Sequence, residues 1–533
     1  MELVFHSKKY LYMRLFLFAI GGTGARVVRS LTMMLASGVK GLDSSTEIIP
    51  IIIDYDLANG DKTRAIKALK SYTSIHNSLY PDTRTGARYT NHFFMTKVLP
   101  LSQAGIANPT TTPKDYEFNF GPAGSTIKFA DFLKKSAMNA DPNLQLTDDL
   151  LNALYDASSS TDKDAELELD MAKGFKGNPN IGSVVFHLLR EMPEFKDFAG
   201  TFNQATDRVF IVSSIFGGTG ASGFPEIVNA IRGSNRATLS PAIIGSAIVL
   251  PYFDLQNFDP NSGDTGAVDA GSFNAKTRAA LGFYAVPGGI NDRVNAIYYI
   301  GDENHDAYKY NEGEDRQQND AHVVEFVAAT AVLDFMDRTG FIQNPTSLQQ
   351  INNHDHNAFE FSIRNAQIGS SIKLNDFEQS TDDLVLSNLS AFALAMKYYR
   401  DVICGDRSRI ANSTAFFSDN RFALSRKLGR GFYHALDEFL TNPAKWGFFD
   451  WLDELKEHTH KLYPYAIHSD TEMKKVFTHK TITAAHSYQQ NPIKDDTLSR
   501  EINAATNNLH TFTEKELMKA LYDVMNKKYQ SVK

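Results

Sequence analysis

The chain of 533 residues contains one cysteine, Cys404. No internal disulfide framework is available, and an inert, half-buried thiol in a reducing compartment is expected. Basic runs are also missing. The net charge is -8 and the pI about 6.0, which speaks against a nucleic-acid or anionic-membrane surface. No apolar segment approaches the roughly 18 residues that a spanning helix needs. Lys8-Lys9 followed by Leu15-Phe-Leu-Phe-Ala-Ile20 has the order of a signal peptide, but the apolar run is short and Arg14 interrupts it. Low-complexity tails and internal repeats are not evident. These absences predict a cytoplasmic protein with neither nucleic-acid nor membrane partners.

What is present begins with size. The chain is too long for one simple core, so two or more domains are expected. Its 42% hydrophobic and 22% charged residues are ordinary for a globular protein. Two segments share one design: Arg14-Leu-Phe-Leu-Phe-Ala-Ile-Gly-Gly-Thr-Gly-Ala25 and Phe210-Ile-Val-Ser-Ser-Ile-Phe-Gly-Gly-Thr-Gly-Ala-Ser-Gly223. Each runs from an apolar strand through a glycine turn into a helix. Such a turn presents several backbone N–H groups and the positive helix end to one point. Glycine permits positive φ and lets backbone approach a ligand with no Cβ in the way. Two loops of this kind argue for one phosphate chain held from two sides.

After the first loop, Val27, Val28, Leu31, Met34 and Leu35 recur at helical spacing. Ile48-Ile-Pro-Ile-Ile-Ile53 follows as a continuous apolar strand ending at Asp54 and Asp56. Strand, loop, helix, strand is a βαβ start, and runs apolar on both faces imply a parallel sheet covered on both sides. Further strands are expected at 208–214, 242–250 and 294–300. The predicted class is α/β: a Rossmann-like parallel sheet domain over 14–340, a buried central helix from Ala321 to Met336, and a mostly helical C-terminal domain over 341–533. Residues from about 63 to 170 read as a polar insertion with short helices. The later helices are expected at 384–402, 421–440, 446–462 and 515–529, with strand-like pieces at 359–364 and 370–374. His354-Asp-His356 and His458-Thr-His460 lack a nearby third ligand and read as exposed histidines. Trp446-Gly-Phe-Phe-Asp-Trp451 reads as core packing at a helix start.

Gly218-Thr-Gly-Ala-Ser-Gly223 satisfies G-x-G-x-x-G after a strand, which keeps an NAD(P)-dependent oxidoreductase as an alternative. The ribose-binding acid expected at the end of the next strand is missing, since Val249-Leu-Pro-Tyr252 has no acid before Asp254. The first loop has Asp54 or Asp56 at that place, but Gly22-Thr-Gly-Ala-Arg-Val27 lacks the third glycine. A Walker loop fails as well, because no Gly-Lys-Ser/Thr follows either turn.

The doubled-glycine form Gly217-Gly-Thr-Gly-Ala-Ser-Gly223 resembles the signature loop of the tubulin/FtsZ superfamily of GTP-binding cytoskeletal proteins. Other segments match in the same order. Gly21-Gly-Thr-Gly-Ala25 is similar to that family's first phosphate loop, and Asp54 and Asp56 fall at its second. Gly174-Phe-Lys-Gly-Asn-Pro-Asn-Ile-Gly182 is similar to its third, around Gly177 and Asn178. Leu250-Pro-Tyr-Phe253 resembles the Pro-Phe step after the fifth strand, and Ser272-Phe-Asn-Ala275 the tubulin segment whose Asn reads guanine. Asn319-Asp320 stands where the family's central helix meets the base.

The resemblance covers roughly residues 14 to 344 and implies GTP or GDP as ligand, with Mg held by the nucleotide phosphates and no metal ligand from the protein. It places the phosphates against the backbone of Gly21, Gly22, Thr23, Gly24 and Ala25 and of Gly217, Gly218, Thr219, Gly220, Ala221, Ser222 and Gly223. Asn274 or Asn319 would pair with the guanine edge, Asp320 would accept from its N–H groups, and Arg278 would approach the nucleotide. The family completes its active site between subunits, with an acid after the central helix that serves the next subunit. Here Gly340-Phe-Ile-Gln-Asn-Pro345 has Gln343 for the family Asn and Pro345 for the acid. Asp337 and Asp355 are the nearest acids, both out of register, so the catalytic residue is unknown and hydrolysis is expected to be slow or absent. The expected function is nucleotide-dependent self-assembly, head to tail, into filaments or rings. The alternative is a monomeric nucleotide sensor acting on other proteins through the C-terminal helices.

Overall fold

The sheet is built from the apolar runs, in a computed structural model that describes residues 13–39, 42, 46–56, 58–81, 92–106, 114–118, 128–155, 166–255, 271–302, 306–308, 317–339, 358–363, 387–404, 429–456, 500–502, 504–505 and 513–530. The strands are β1 (Met13–Ile20), β2 (Thr46–Ile53), β3 (Lys97–Val98), β4 (Asp207–Ser214), β5 (Ile244–Val249), β6 (Ala296–Asp302) and β7 (Ala358–Ile363). They form one sheet in the order β3-β2-β1-β4-β5-β6-β7, and every pairing is parallel. Going outward from β1 the chain order runs one way through β2 and the other way through β4. Such a reversal leaves a crevice at the carboxyl ends of β1 and β4, where open α/β sheets bind ligands.

Helices cover both faces: α1 (Gly21–Ala36), α2 (Gly60–Leu79), α3 (Gln145–Leu154), α4 (Pro179–Phe186), α5 (Pro193–Thr201), α6 (Gly218–Arg232), α7 (Gly271–Tyr284), α8 (Val323–Thr339), α9 (Ser387–Tyr398), α10 (Phe432–Leu440), α11 (Phe448–Lys456) and α12 (Glu514–Gln530). Side chains alternate along β1, so Phe16 and Phe18 meet Phe198 of α5 edge-on at 5.0 and 5.2 Å. Ile20, on that face, lies against Gly223 of α6. On the opposite face Phe335 of α8 packs 5.1 Å from Phe210 and covers Gly245.

The central helix α8 is buried along most of its length, as its all-round apolar pattern requires. Glu325 in its first turn bonds to Tyr252, just beyond the carboxyl end of β5. Phe335 near its other end covers Gly245 at the amino end of β5. The helix therefore runs antiparallel to the strands, from the glycine-loop edge to the opposite edge. No helix among the described residues is long and apolar enough to cross a membrane.

Two boundaries differ from the sequence expectation. The proposed insertion start at 63 falls inside α2, a 20-residue helix packed on α1, and Lys97–Val98 joins the main sheet. Part of the polar character of α2 comes from Asp61, Lys62 and Arg64, which are all buried in ion pairs. The C-terminal helices also fail to form a separate domain. β7 extends the sheet, α10 packs on α2, and α9, α11 and α12 contribute to the same hydrophobic core as α1. Trp451 of α11 is fully buried and donates from its indole N–H to Ser30 of α1 at 3.0 Å, so the Trp446–Trp451 cluster is core. The histidine pairs at 354–356 and 458–460 and the strand-like piece 370–374 lie outside the described residues.

Candidate functional site

The crevice between β1 and β4 is lined by two helix starts. Gly21 turns the chain out of β1 with φ +70°, a conformation that L side chains rarely adopt. A Cβ built on Gly21 would lie 3.4 Å from Cβ of Thr219 and 3.8 Å from the amide nitrogen of Gly220. The first turns of α1 and α6 thus face each other at close range, with both positive helix ends turned to one place. A third strip of backbone closes the side. A Cβ on Gly218 would sit 3.1 Å from the amide nitrogens of both Gly177 and Asn178 and 3.0 Å from Cβ of Phe175. Gly177, with φ +76°, makes that loop turn, and Asn178 precedes Pro179 at the start of α4.

The signature loop divides into two parts. Gly218, Thr219 and Gly220 form the first turn of α6, the two glycines buried and Thr219 half-buried, and the Ala221 N–H is taken by the Gly217 carbonyl at 3.2 Å. The Ser222 hydroxyl donates back to the carbonyls of Gly218 and Thr219 at 2.7 and 3.1 Å and faces Gly182. Gly223 faces Ile20 and Phe186. Ser222 and Gly223 therefore serve the packing of α4 and the sheet on α6, and the close contact at Gly182 explains the last glycine of the third loop. Gly220 faces the Ser214 carbonyl, 2.5 Å from a would-be Cβ, so only glycine fits there.

At the β2 end, Asp54 and Asp56 are both buried. The Asp54 carboxylate accepts from the Asp56 N–H at 3.1 Å and from the Asn59 side-chain amide at 3.1 Å. Burial pushes its carboxyl up to about 7, Lys62 opposes that, and the charges of Asp56 and Glu117 add to it. Asp56 accepts from the Ala58 N–H and stands beside Gly174. Asn59 caps α2 and also donates to Gln317 at 3.0 Å. A Cβ on Gly22 would meet Gln317, Asn59 and Asp61 within 3.5 Å. Asn59 was legible as a cap before a helix, while Gln317 carries no local signal.

The base-reading residues are less uniform. Asn274 and Arg278 are exposed on α7, and it is Lys276 that reaches the third loop, donating to the Gly177 carbonyl at 2.8 Å. Asn319 precedes α8, and its N–H donates to Asp61 at 3.0 Å, so its backbone is fixed to α2. Asp320 is exposed beside it. Asp337 is exposed near the last turn of α8, at the edge opposite the glycine loops, and Asp355 lies outside the described residues.

Behind the first loop lies an ionic cluster that sequence reasoning missed. Arg26 of α1 pairs with Asp61 of α2 at 2.5 Å and with Glu325 of α8, and donates to the Tyr252 hydroxyl at 2.8 Å and to Thr23 at 3.3 Å. Arg64 of α2 joins Asp61, the Asn319 carbonyl and Glu454 of α11. Arg29 of α1 pairs with Glu454 at 2.6 Å, and Glu454 also accepts from the Ala321 N–H at 2.9 Å. Three arginines thus meet three carboxylates, all buried. Burial opposes the charge on Glu325, yet Arg26 and the Tyr252 hydroxyl hold its carboxyl below the ordinary value.

No group of His, Cys, Asp and Glu side chains suited to a metal ion occurs among the described residues. No protein-family model and no curated protein matches this chain.

Proposed function

We propose that the chain is a tubulin-like guanine-nucleotide-binding protein that assembles head to tail, with nucleotide at the subunit junction. One observation carries the reading: the starts of α1 and α6 and the Gly177–Asn178 strip converge on one point at the switch of the sheet. Backbone N–H groups from three elements suit a chain of phosphates, and the glycines leave out the Cβ atoms that would crowd this meeting point. In this reading Gly22 to Gly24 and Gly218 to Gly220 hold the phosphates, which carry the Mg ion. Asn274, Arg278 and Asp320 are exposed and in this reading meet the base. Asp337, at the far end of α8, is remote from this chain's own glycine loops.

The buried cluster favours a second reading, in which nucleotide at Thr23 is sensed through Arg26, Asp61 and Glu454 by the C-terminal helices of a monomer. Calorimetric titration with GTP, GDP, ATP and NAD tests the nucleotide, and light scattering with and without GTP separates assembly from sensing. GTP and GDP are expected to bind above ATP and NAD, because the amide of Asn274 or Asn319 and the carboxylate of Asp320 match the guanine edge and not the adenine edge. Equal affinity for ATP and GTP would count against the guanine assignment, and selective NAD binding would return the oxidoreductase alternative.

A further inference from the structure

The segment that enters α8 brings one amide side chain to the first glycine loop. A Cβ built on Gly22 would lie 3.3 Å from Nε2 of Gln317, 3.5 Å from Nδ2 of Asn59 and 3.5 Å from Oδ2 of Asp61. Gly22 does not have positive φ, so it is room for these neighbours, and not backbone strain, that asks for glycine here. Gly21, one residue earlier, faces Thr219 of α6 instead. The first turn of α1 therefore has Thr219 on one side and Gln317 on the other.

Which end of the Gln317 amide meets the loop follows from its neighbour. Asn59 is buried and caps α2, its Oδ1 accepting from the Lys62 N–H at 3.0 Å. With the oxygen so used, its two N–H groups go to the Asp54 side chain at 3.1 Å and to Oε1 of Gln317 at 3.0 Å. Gln317 must offer an acceptor to Asn59, which turns its own NH2 group toward Gly22. That group carries two N–H donors, and neither meets an acceptor among the described residues. Asp54, Asn59 and Gln317 are thus a chain of hydrogen bonds that begins on a carboxyl group and ends in a donor.

The surroundings hold this donor in place. Asn319, two residues on, is tied to α2 twice: its N–H donates to Asp61 at 3.0 Å and its carbonyl accepts from Arg64. The Asp61 carboxylate close to Gly22 is taken up by Arg26 at 2.5 Å and Arg64 at 2.9 Å, so it does not set a bare negative charge against the loop. Gln317 is half-buried, and its bond to Asn59 uses only the oxygen end of the amide. A donor held ready without an acceptor, beside the backbone of a helix start, suits an anionic oxygen.

We propose that Gln317 donates through Nε2 to a phosphate oxygen of the ligand lying over the start of α1, with Asn59 as the residue that positions it. The inference rests on the reading of the crevice as a phosphate site and not on which base the ligand carries. It adds one side-chain donor to a site that the glycine loops build from backbone. The donor is neutral, so its contribution comes from the direction of its N–H groups and not from charge.

The test is titration calorimetry of the full chain, Gln317→Glu and Gln317→Met with GDP and Mg and, separately, with inorganic pyrophosphate, which has phosphates and no base. At about pH 7.5, Gln317→Glu keeps an oxygen for Asn59 and puts an ionised oxygen where the NH2 group was. Gln317→Met fills a similar volume and offers neither. GDP is expected to bind about tenfold more weakly to Gln317→Met, which lacks the donor. Binding to Gln317→Glu is expected to be weaker by about a hundredfold or more, because like charges then meet. Pyrophosphate is expected to follow the same order, and thermal melting without ligand checks that both variants are folded. A role confined to holding Asn59 leaves Gln317→Glu closer to wild type than Gln317→Met and overturns the proposal. Wild-type affinity in Gln317→Met also overturns it, as does an order seen with GDP and absent with pyrophosphate, since the donor then serves the nucleoside. Each of these outcomes leaves the nucleotide reading standing. A wild type that binds neither probe removes that reading and the role of Gln317 together.

Discussion

Arg29 on the first glycine helix and Glu454 on α11 are 425 residues apart in sequence and form a buried ion pair at 2.6 and 3.3 Å. Among the described residues the Arg29 guanidinium donates to Glu454 and to the Lys445 carbonyl, both from the C-terminal half. The glycine loop is thereby anchored from behind by the last third of the chain.

Removing Glu454 should be costly. Glu454→Ala leaves Arg29 with only a carbonyl and takes one carboxylate from Arg64, in a site closed to water. A loss of about 3–5 kcal/mol is expected, as for other buried pairs broken from one side. Urea unfolding measures it, and added salt should change the result little because the pair is screened from solvent. A loss under 1 kcal/mol would mean that the cluster repacks.

Two glycines in one loop should fail differently. Gly218→Ala puts a methyl group against the N–H groups of Gly177 and Asn178, so nucleotide affinity should fall at least tenfold, about 1.4 kcal/mol, with the melting temperature near wild type. Neither Gly218 nor Gly220 has positive φ, so steric contact alone is responsible. Gly220→Ala forces a methyl group onto the Ser214 carbonyl and should also lower stability, by about 1–3 kcal/mol. Titration calorimetry and thermal melting of both variants separate the two effects.

Asp54 makes stability depend on pH. Its carboxyl is raised from 3.8 to about 7 in the folded protein, so the folded state holds a proton that the unfolded state has released. That contribution is full below 3.8 and is lost as the pH rises through about 7. Asp54→Asn removes the titration. The stability of the variant relative to wild type should therefore grow with pH across that window, by at most about 4 kcal/mol. Urea unfolding of both proteins at about pH 5 and about pH 8 checks the sign; a difference that stays constant between those pH values would show that Asp54 is ionised throughout.

Turnover should be slow. In the tubulin-like reading Pro345 takes the place of that family's acid, and Asp337 is out of register with that position. Phosphate release is expected below about 1 s⁻¹ at every protein concentration, and Asp337→Asn should leave it unchanged. A concentration-dependent rate that falls in Asp337→Asn would assign Asp337 as the acid acting on a neighbour.

Sequence legibility followed burial chemistry. Leu15–Ile20, Ile48–Ile53 and Val209–Val212 are apolar on both faces and were readable as central parallel strands, and the glycine turns marked where those strands feed helices. α2 was misread because its buried positions carry Asp61, Lys62 and Arg64, which in one dimension look like a solvated face. Their neutralisers are Arg26, Glu117 and Glu454, residues that no local pattern connects to them. The same holds for Gln317 at the first loop and for Lys276, whose useful contact is with a carbonyl of another loop. The exposed apolar face of α3 was hidden for a different reason: Leu146, Leu150 and Leu154 at helical spacing look like a core-facing stripe until the fold leaves that face open.

The Arg29–Glu454 pair also sets an order of events during synthesis. At about 5–20 residues added per second, roughly 20–85 s separate the emergence of these two side chains. For that interval the first glycine loop exists without the carboxylate that anchors its helix. The crevice between β1 and β4 is thus finished from the C-terminal end, and a ribosome-bound chain that has passed only residue 340 holds a glycine loop whose back wall has not yet been made.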